Sequence, residues 1–76
     1  MSATTFGLWL KERRGVLGLT QEQLGERIGC SPDSVRKFEA GTRRPSRQIA
    51  DLLAGCFNVP PDEVELFARF ARGMSD

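Results

Sequence analysis

The chain has 76 residues, 39% of them hydrophobic and 28% charged, which is ordinary for a compact domain and too apolar for disorder. Its length predicts a single domain over residues 1–76. It contains no histidine, so a zinc site that uses histidine and the Ser-His-Asp and Cys-His triads are all excluded. No apolar run approaches the roughly 20 residues of a membrane span, and the N-terminal segment lacks the apolar centre of a signal peptide.

Two cysteines, Cys30 and Cys56, are too few to build a disulfide scaffold. Each stands alone within an apolar stretch, so free thiols in a cytoplasmic protein are favoured over a disulfide between them. The sequence therefore predicts a cytoplasmic location.

The net charge of +1 conceals an uneven distribution. Residues 1–50 carry nine Lys/Arg and five Asp/Glu, whereas residues 51–76 carry two and five. The segment from Arg36 to Arg47 contains five cationic residues and one acidic residue, Glu39. A basic stripe on a nearly neutral domain indicates that a polyanion binds one face, although a solvated loop would have the same composition.

Apolar spacing predicts an all-α chain with five helices, over residues 5–15, 21–28, 32–39, 46–56 and 61–72. Thr20 with Gln23 is a capping box, Ser31-Pro32 is a second start signal, and Ser46 is a third cap. Gly15 and Gly18 are expected to end the first helix, and Gly29 the second.

The predicted core follows the apolar faces of these helices. Trp9 is interpreted as core or partial core rather than as a platform for stacking bases, and one of Phe67 and Phe70 is expected to be left for a partner. The remaining core candidates are Phe6, Leu10, Leu24, Ile28, Val35, Phe38, Ile49, Leu52, Leu53, Val64 and Leu66.

The second and third helices are separated only by Gly29, Cys30 and Ser31. Two helices can lie so close only if the first is small where the second crosses it, and Gly25 supplies that smallness. This is the steric pattern of a helix-turn-helix, which a short αα-hairpin can also match.

The third helix has an outward face opposite Val35 and Phe38. Asp33, Arg36, Lys37 and Ala40 share it at i, i+3, i+4 and i+7. Arg or Lys can donate to guanine O6 and N7, and Asp can accept from cytosine N4, so this face is suited to reading bases. The alternatives are a helix-dipole role for Asp33 and a solvated face for the two cations.

Three pieces of sequence, G-L-T-Q from Gly18, the turn G-C-S, and F-E-x-G-x-R-x-P from Phe38, closely resemble the Cro/phage-repressor type of helix-turn-helix, also called the xenobiotic-response-element family. The resemblance covers about residues 5–72. It implies a compact five-helix bundle whose second and third helices bind the major groove of DNA, usually as a two-fold dimer on a palindrome.

The resemblance also implies site residues. Phosphate contacts would come from Gln21, Ser31, Arg43 and Arg44, while Ser34 could contact phosphate or base. Base edges would be read by Pro32, Asp33, Arg36 and Lys37. Many relatives place a hydrogen-bond donor at Pro32, so readout there would rest on apolar contact or be weak.

One ion pair is expected beneath this surface. Arg14 shares a helix face with Phe6 and Leu10, so its stem should be buried. In the family that is resembled, the acid at the position of Glu39 pairs with an Arg at the position of Arg14. The sequence therefore predicts an Arg14–Glu39 pair that ties the first helix to the third and sets the angle at which the third is presented.

These features bear on three classes of function. Sequence-specific binding of double-stranded DNA by a transcriptional regulator is favoured, with a weak homodimer on a palindromic site. A protein-interaction module of the same fold, of antitoxin or adaptor type, is the alternative. No cofactor or metal is expected, and an enzyme is disfavoured by the absence of histidine, a phosphate loop and paired carboxylates. The ending A-R-F-A-R-G resembles regulators with a C-terminal effector domain in a longer parent chain.

Overall fold

The computed structural model describes residues 5–73, and every regular element in that range is helical. The elements are α1 (Phe6–Val16), α2 (Gln21–Ile28), α3 (Pro32–Ala40), α4 (Arg47–Cys56), a 3₁₀ turn (Pro61–Glu63) and α5 (Val64–Ala71). The predicted all-α class with five helices is confirmed. Within residues 5–73, none of these helices is long and apolar enough to cross a membrane.

Contacts group the chain into two compact units, one ending at Arg43 and the other beginning at Arg44. The first unit contains α1, α2 and α3, and α3 packs against both of the others. The second contains α4, the 3₁₀ turn and α5, with α4 packed on α5. That residues 1–76 act as one domain stays a prediction.

Side-chain caps define where the helices of the first unit begin. Thr20 Oγ1 accepts from the Gln23 amide at 3.0 Å, and the Gln23 side chain accepts from the Thr20 amide at 2.9 Å, which completes the predicted capping box. Ser31 caps α3 through the Ser34 amide at 3.1 Å. Thr5 caps α1 through the Leu8 amide, a cap that the sequence analysis did not identify.

The end of α1 was predicted one residue too early. The helix continues through Gly15 to Val16, and the chain first turns left-handed at Gly18, where φ is 70°. A single glycine with ordinary helical geometry weakens a helix without ending it. The predicted stop at Gly29 is confirmed, since that residue caps α2 with φ 71°.

Two glycines allow α3 and the turn before it to lie against their neighbours. A Cβ at Gly25 would stand 2.4 Å from the Cys30 carbonyl oxygen, so the predicted need for a small residue there is confirmed. A Cβ at Gly7 would stand 2.3 Å from the Glu39 carbonyl oxygen. Gly7 therefore lets α1 cross the last turn of α3 at backbone contact, a role that was not foreseen.

The core of the first unit is the predicted one. Its most deeply buried side chains are Leu10, Leu24, Ile28, Val35 and Phe38. They come from all three helices, so the unit has a continuous apolar centre that fixes α3 from behind.

The helix predicted over residues 61–72 begins differently from expectation. Its first three residues form a 3₁₀ turn, closed by the Glu63 amide donating to the Pro60 carbonyl at 2.8 Å, and α5 starts at Val64. Such turns are frequent where α-helices begin. Asp62 and Glu63 therefore lie in the 3₁₀ turn rather than in the first turn of α5.

The predicted core of the second unit was partly wrong. Leu52 is 44% exposed and Leu66 is 63% exposed, while Ile49 and Phe70 are half-buried. The predicted Leu53 is buried, and so is Phe67. The other buried hydrophobic residues of this unit are alanines that were not predicted: Ala50, Ala54, Ala68 and Ala71. Predicting the core from the spacing of large apolar residues misses a helix face that is buried through alanines.

Gly7 offers a direct test of the crossing of α1 and α3. Gly7→Ala should lower the free energy of unfolding by about 1–3 kcal/mol, because one of the two backbones must move. We expect a fall in Tm of roughly 4–8 °C per kcal/mol in thermal unfolding. Gly15→Ala is the matched control, since nothing lies within 4 Å of its Cβ position. It should be neutral or stabilise by up to about 1 kcal/mol. Equal Tm values for the two variants would contradict the crossing.

Candidate nucleic-acid interface

A partly buried polar cluster lies behind α3, at its C-terminal end. Arg14 Nε donates to Glu39 Oε2 at 2.6 Å, and Arg14 Nη2 donates to Glu39 Oε1 at 3.2 Å. Arg14 Nη1 donates to the Leu19 carbonyl at 2.8 Å, and Gln21 Nε2 donates to Glu39 Oε1 at 3.0 Å. Only 17% of the Arg14 side chain and 5% of the Glu39 side chain are exposed. The structure thus brings together the two residues that were expected to pair.

This cluster connects all three helices of the first unit. Arg14 comes from α1, Gln21 from the first turn of α2, and Glu39 from the last turn of α3. The fork of the guanidinium matches the two carboxylate oxygens, a geometry that favours a fixed relative orientation. No buried side-chain nitrogen or oxygen in residues 5–73 lacks a hydrogen-bond partner, so the charges here are compensated.

Gln21, which is expected to contact phosphate, has its side chain in this cluster. One amide hydrogen is used on Glu39, which leaves the second hydrogen of Nε2 for another acceptor. A phosphate contact by Gln21 therefore stays a prediction. The amide that would make this contact also donates to Glu39, the acidic partner of Arg14.

The outward face of α3 carries a second, exposed ion-pair group. Asp33 Oδ2 lies 3.2 Å from Lys37 Nζ, and Asp33 Oδ1 accepts from Arg36 Nη2. The three side chains are about half exposed, at 56%, 44% and 58% for Asp33, Lys37 and Arg36. Pro32 precedes them as the first residue of the helix and is exposed as well. The four residues proposed to read bases thus lie on one helix, within its first turns.

Polar donors gather at the N-terminal end of the same helix. The Ser31 and Ser34 hydroxyl oxygens are 3.1 Å apart, and Arg43 Nη1 donates to Ser34 Oγ at 3.3 Å. The Arg43 guanidinium also lies over the Phe38 ring, 6.0 Å from its centroid. Three of the five predicted phosphate contacts are therefore neighbours in the first unit.

Arg44 has different surroundings from Arg43. It belongs to the second unit, where its guanidinium lies against Gly73: a Cβ there would stand 2.9 Å from Arg44 Nε. Sequence reasoning treated Arg43 and Arg44 alike because both are loop cations. The structure joins Arg43 to Ser34 of α3 and places the Arg44 guanidinium at Gly73.

Trp9 has a structural environment. Its ring stacks on that of Phe6 with centroids 5.9 Å apart, and the Arg13 guanidinium lies 5.9 Å from its centroid. The side chain is half-buried. This placement agrees with the interpretation of Trp9 as partial core.

Similarity to known proteins identifies the family of this chain. A sequence model described as helix-turn-helix matches residues 10–64. An uncharacterised HTH-type transcriptional regulator of Sinorhizobium medicae is 35% identical over 54 residues, which are 71% of this chain and 39% of that protein. One from Archaeoglobus fulgidus is 31% identical over 58 residues, 76% of this chain and 82% of the relative. A third, from Methanothermobacter thermautotrophicus, is 40% identical over 45 residues, 59% of this chain and 65% of its own.

The match spans less than half the length of the Sinorhizobium relative, and no solved structure matches at a significant level. The helices of the first unit and these alignments together define a helix-turn-helix protein. The chain belongs to the Cro/phage-repressor type of that family, the xenobiotic-response-element family, and the relatives named above are transcriptional regulators.

The buried pair can be tested by removing one partner or both. Arg14→Met should lower the free energy of unfolding by about 3–5 kcal/mol, because Glu39 would keep a buried charge without its cation. Replacing both residues with apolar ones, Arg14→Met with Glu39→Leu, should cost less than the single change. Denaturant unfolding of the three proteins gives the comparison. A single variant as stable as the parent would show that the pair does not support the fold.

Asp33 should titrate below its ordinary range. A hydrogen bond to Arg36, followed in importance by one to Lys37, lowers the pKa of Asp33 below its ordinary value of 3.8. A depressed pKa means that the ion pairs support α3 above pH about 4 and are lost as the pH falls through the folded-state value. NMR titration of the Asp33 carboxyl carbon should show this, with Arg36→Gln raising the pKa more than Lys37→Gln. An unchanged value in both variants would mean that the pairs do not persist in solution.

Proposed function

We propose that this protein binds double-stranded DNA sequence-specifically, with α3 in the major groove, and regulates transcription. The observation that carries the proposal is the exposed face of α3. It combines Asp33, Arg36 and Lys37 with a neighbouring group of polar donors, Ser31, Ser34 and Arg43. A short helix whose outer face carries two cations, one anion and no large apolar residue is suited to a polyanionic groove.

The base-reading roles follow from the chemistry of each side chain. Arg36 and Lys37 donate to guanine O6 and N7, and Asp33 accepts from cytosine N4. Pro32 has no side-chain donor, so we propose an apolar contact, for which the methyl group of thymine is the partner that the groove offers. All four lie on α3, whose back is fixed by Val35 and Phe38.

The phosphate roles belong to residues around this helix. Ser31, Ser34 and Arg43 form one hydrogen-bonded group beside it, so one phosphate oxygen could accept from more than one of them. Gln21 would use its second amide hydrogen, and Arg44 would act as a loop cation. Such contacts position the protein without reading sequence.

Two copies are needed for useful specificity. A recognition helix of nine residues touches few base pairs, too few for a genome-scale specificity ratio. Two copies about 34 Å apart on a symmetric site would double the contacts. The homodimer on DNA, a C-terminal effector domain in a longer parent chain and a cytoplasmic location all stay predictions.

Selection of bound duplexes from a random pool tests the proposal. We expect the chain to enrich a two-fold symmetric motif, with half-sites about one helical turn apart. Failure to enrich any motif, together with no binding at low salt, would instead favour the protein-interaction module.

Variants assign the roles once a preferred duplex is known. Arg36→Gln or Lys37→Gln should cost about 1–3 kcal/mol on that duplex and less on random DNA. Arg43→Ala should weaken both duplexes equally and reduce the slope of log K against log salt by about one. Arg44→Ala is the comparison, because the two neighbouring cations have different surroundings. Equal losses on both duplexes for Arg36 would make it a phosphate anchor.

A further inference from the structure

Both cations proposed to read bases are held by one carboxylate. Asp33 binds Arg36 through Oδ1 and Lys37 through Oδ2, at 3.2 Å in the second case. The spacing of three and four residues places all three side chains on adjacent turns of α3. The exposed face of this helix therefore presents two cations already paired with an anion.

This pairing lowers the attraction of the face for phosphates. Binding without sequence preference depends on cations that replace the counterions of the DNA backbone. A cation that keeps its carboxylate brings a negative charge into the groove, and the phosphates repel that charge. Arg36 and Lys37 thus contribute less to random binding than two unpaired cations would.

The same pairing is compatible with reading guanine. A guanidinium has five N–H donors, and Asp33 accepts from one N–H of Nη2, so further donors are left for guanine O6 and N7. A guanidinium held at one end also loses less side-chain freedom when it binds. The lone pairs of Asp33 that remain can accept from an amino group on a neighbouring base, a cytosine N4 or an adenine N6.

We propose that Asp33 determines specificity as a positioning residue, by suppressing phosphate binding through Arg36 and Lys37 while orienting them for base edges. The inference rests on the proposed function and assigns to one residue the discrimination between the preferred site and random DNA. It differs from a helix-dipole role, which would stabilise α3 without affecting that ratio.

Asp33→Asn separates these roles, with Asp51→Asn as the matched control. Asp51 also pairs with an arginine one turn away, Arg47 Nε at 3.1 Å, and is also half exposed, but lies on α4. Both variants add one to the net charge and remove one ion-pair carboxylate. Each is titrated against the duplex enriched by the parent chain and against the unselected random pool, over a range of salt concentrations. Thermal unfolding shows how much of each variant is folded, and Asp33→Ser repeats the test while keeping a polar acceptor in the first turn.

In Asp33→Asn we expect tighter binding to the random pool, a salt slope there that is steeper by about one, and a specificity ratio at least about fivefold lower. Asp33→Ser should do the same, and Asp51→Asn should leave the ratio unchanged. An equal change in Asp51→Asn would reduce the effect to net charge and overturn the proposal. Equal losses on both duplexes with a lower Tm would overturn it in favour of the helix-dipole role. If the parent chain enriches no duplex, the proposed function is wrong, and so is this inference, which rests on it. That result is distinguishable from the two variant outcomes above, because it is obtained with the parent chain.

Discussion

The pair between Arg14 and Glu39 is the interaction on which the presentation of α3 depends. A helix of nine residues is too short to be stable on its own, so its position must come from tertiary contacts. Val35 and Phe38 bind its inner face by apolar packing, which is strong but not directional. The guanidinium fork adds direction, because both of its bonds to the carboxylate persist only in one orientation of α1 against α3.

Gly7 and Gln21 extend this constraint in two directions. Gly7 lets the backbone of α1 reach the Glu39 carbonyl, so the ion pair forms where the helices are already closest. Gln21 places the first turn of α2 on the same carboxylate. A ligand that binds the Gln21 amide would therefore act on a group that already orients α3, which joins the proposed phosphate contact to the proposed reading helix.

Features that depend on near neighbours in the sequence could be predicted, and those that depend on distant ones could not. The caps at Thr20 and Ser31 act within three residues, and the need for a small residue at Gly25 arises from the turn immediately after α2. The reason for Gly7 lies at the far end of α3, and no local pattern contains it. The Arg14–Glu39 pair joins residues 25 apart in the sequence, and only the family resemblance supplied it.

Side-chain direction explains other differences between prediction and structure. Leu66 was assigned to the core because it is large and apolar, yet α5 buries a stripe made of Phe67 and alanines. Arg43 and Arg44 are adjacent and identical, so a sequence gives them one role. In the folded chain, one guanidinium donates to Ser34 and the other lies at Gly73.

Burial distinguishes the two acidic residues of α3, although each is paired with cations. The Glu39 side chain is 5% exposed, so water has little access to its carboxylate and cannot readily replace Arg14. Its ion pair therefore behaves as a fixed part of the fold. Asp33 is 56% exposed, so the lone pairs that its two cations leave unused are open to water or to a nucleic acid. The same chemistry is therefore enclosed at one end of the helix and accessible at the other. A reading helix requires this combination, because its position must be rigid while its paired surface groups remain accessible to base edges.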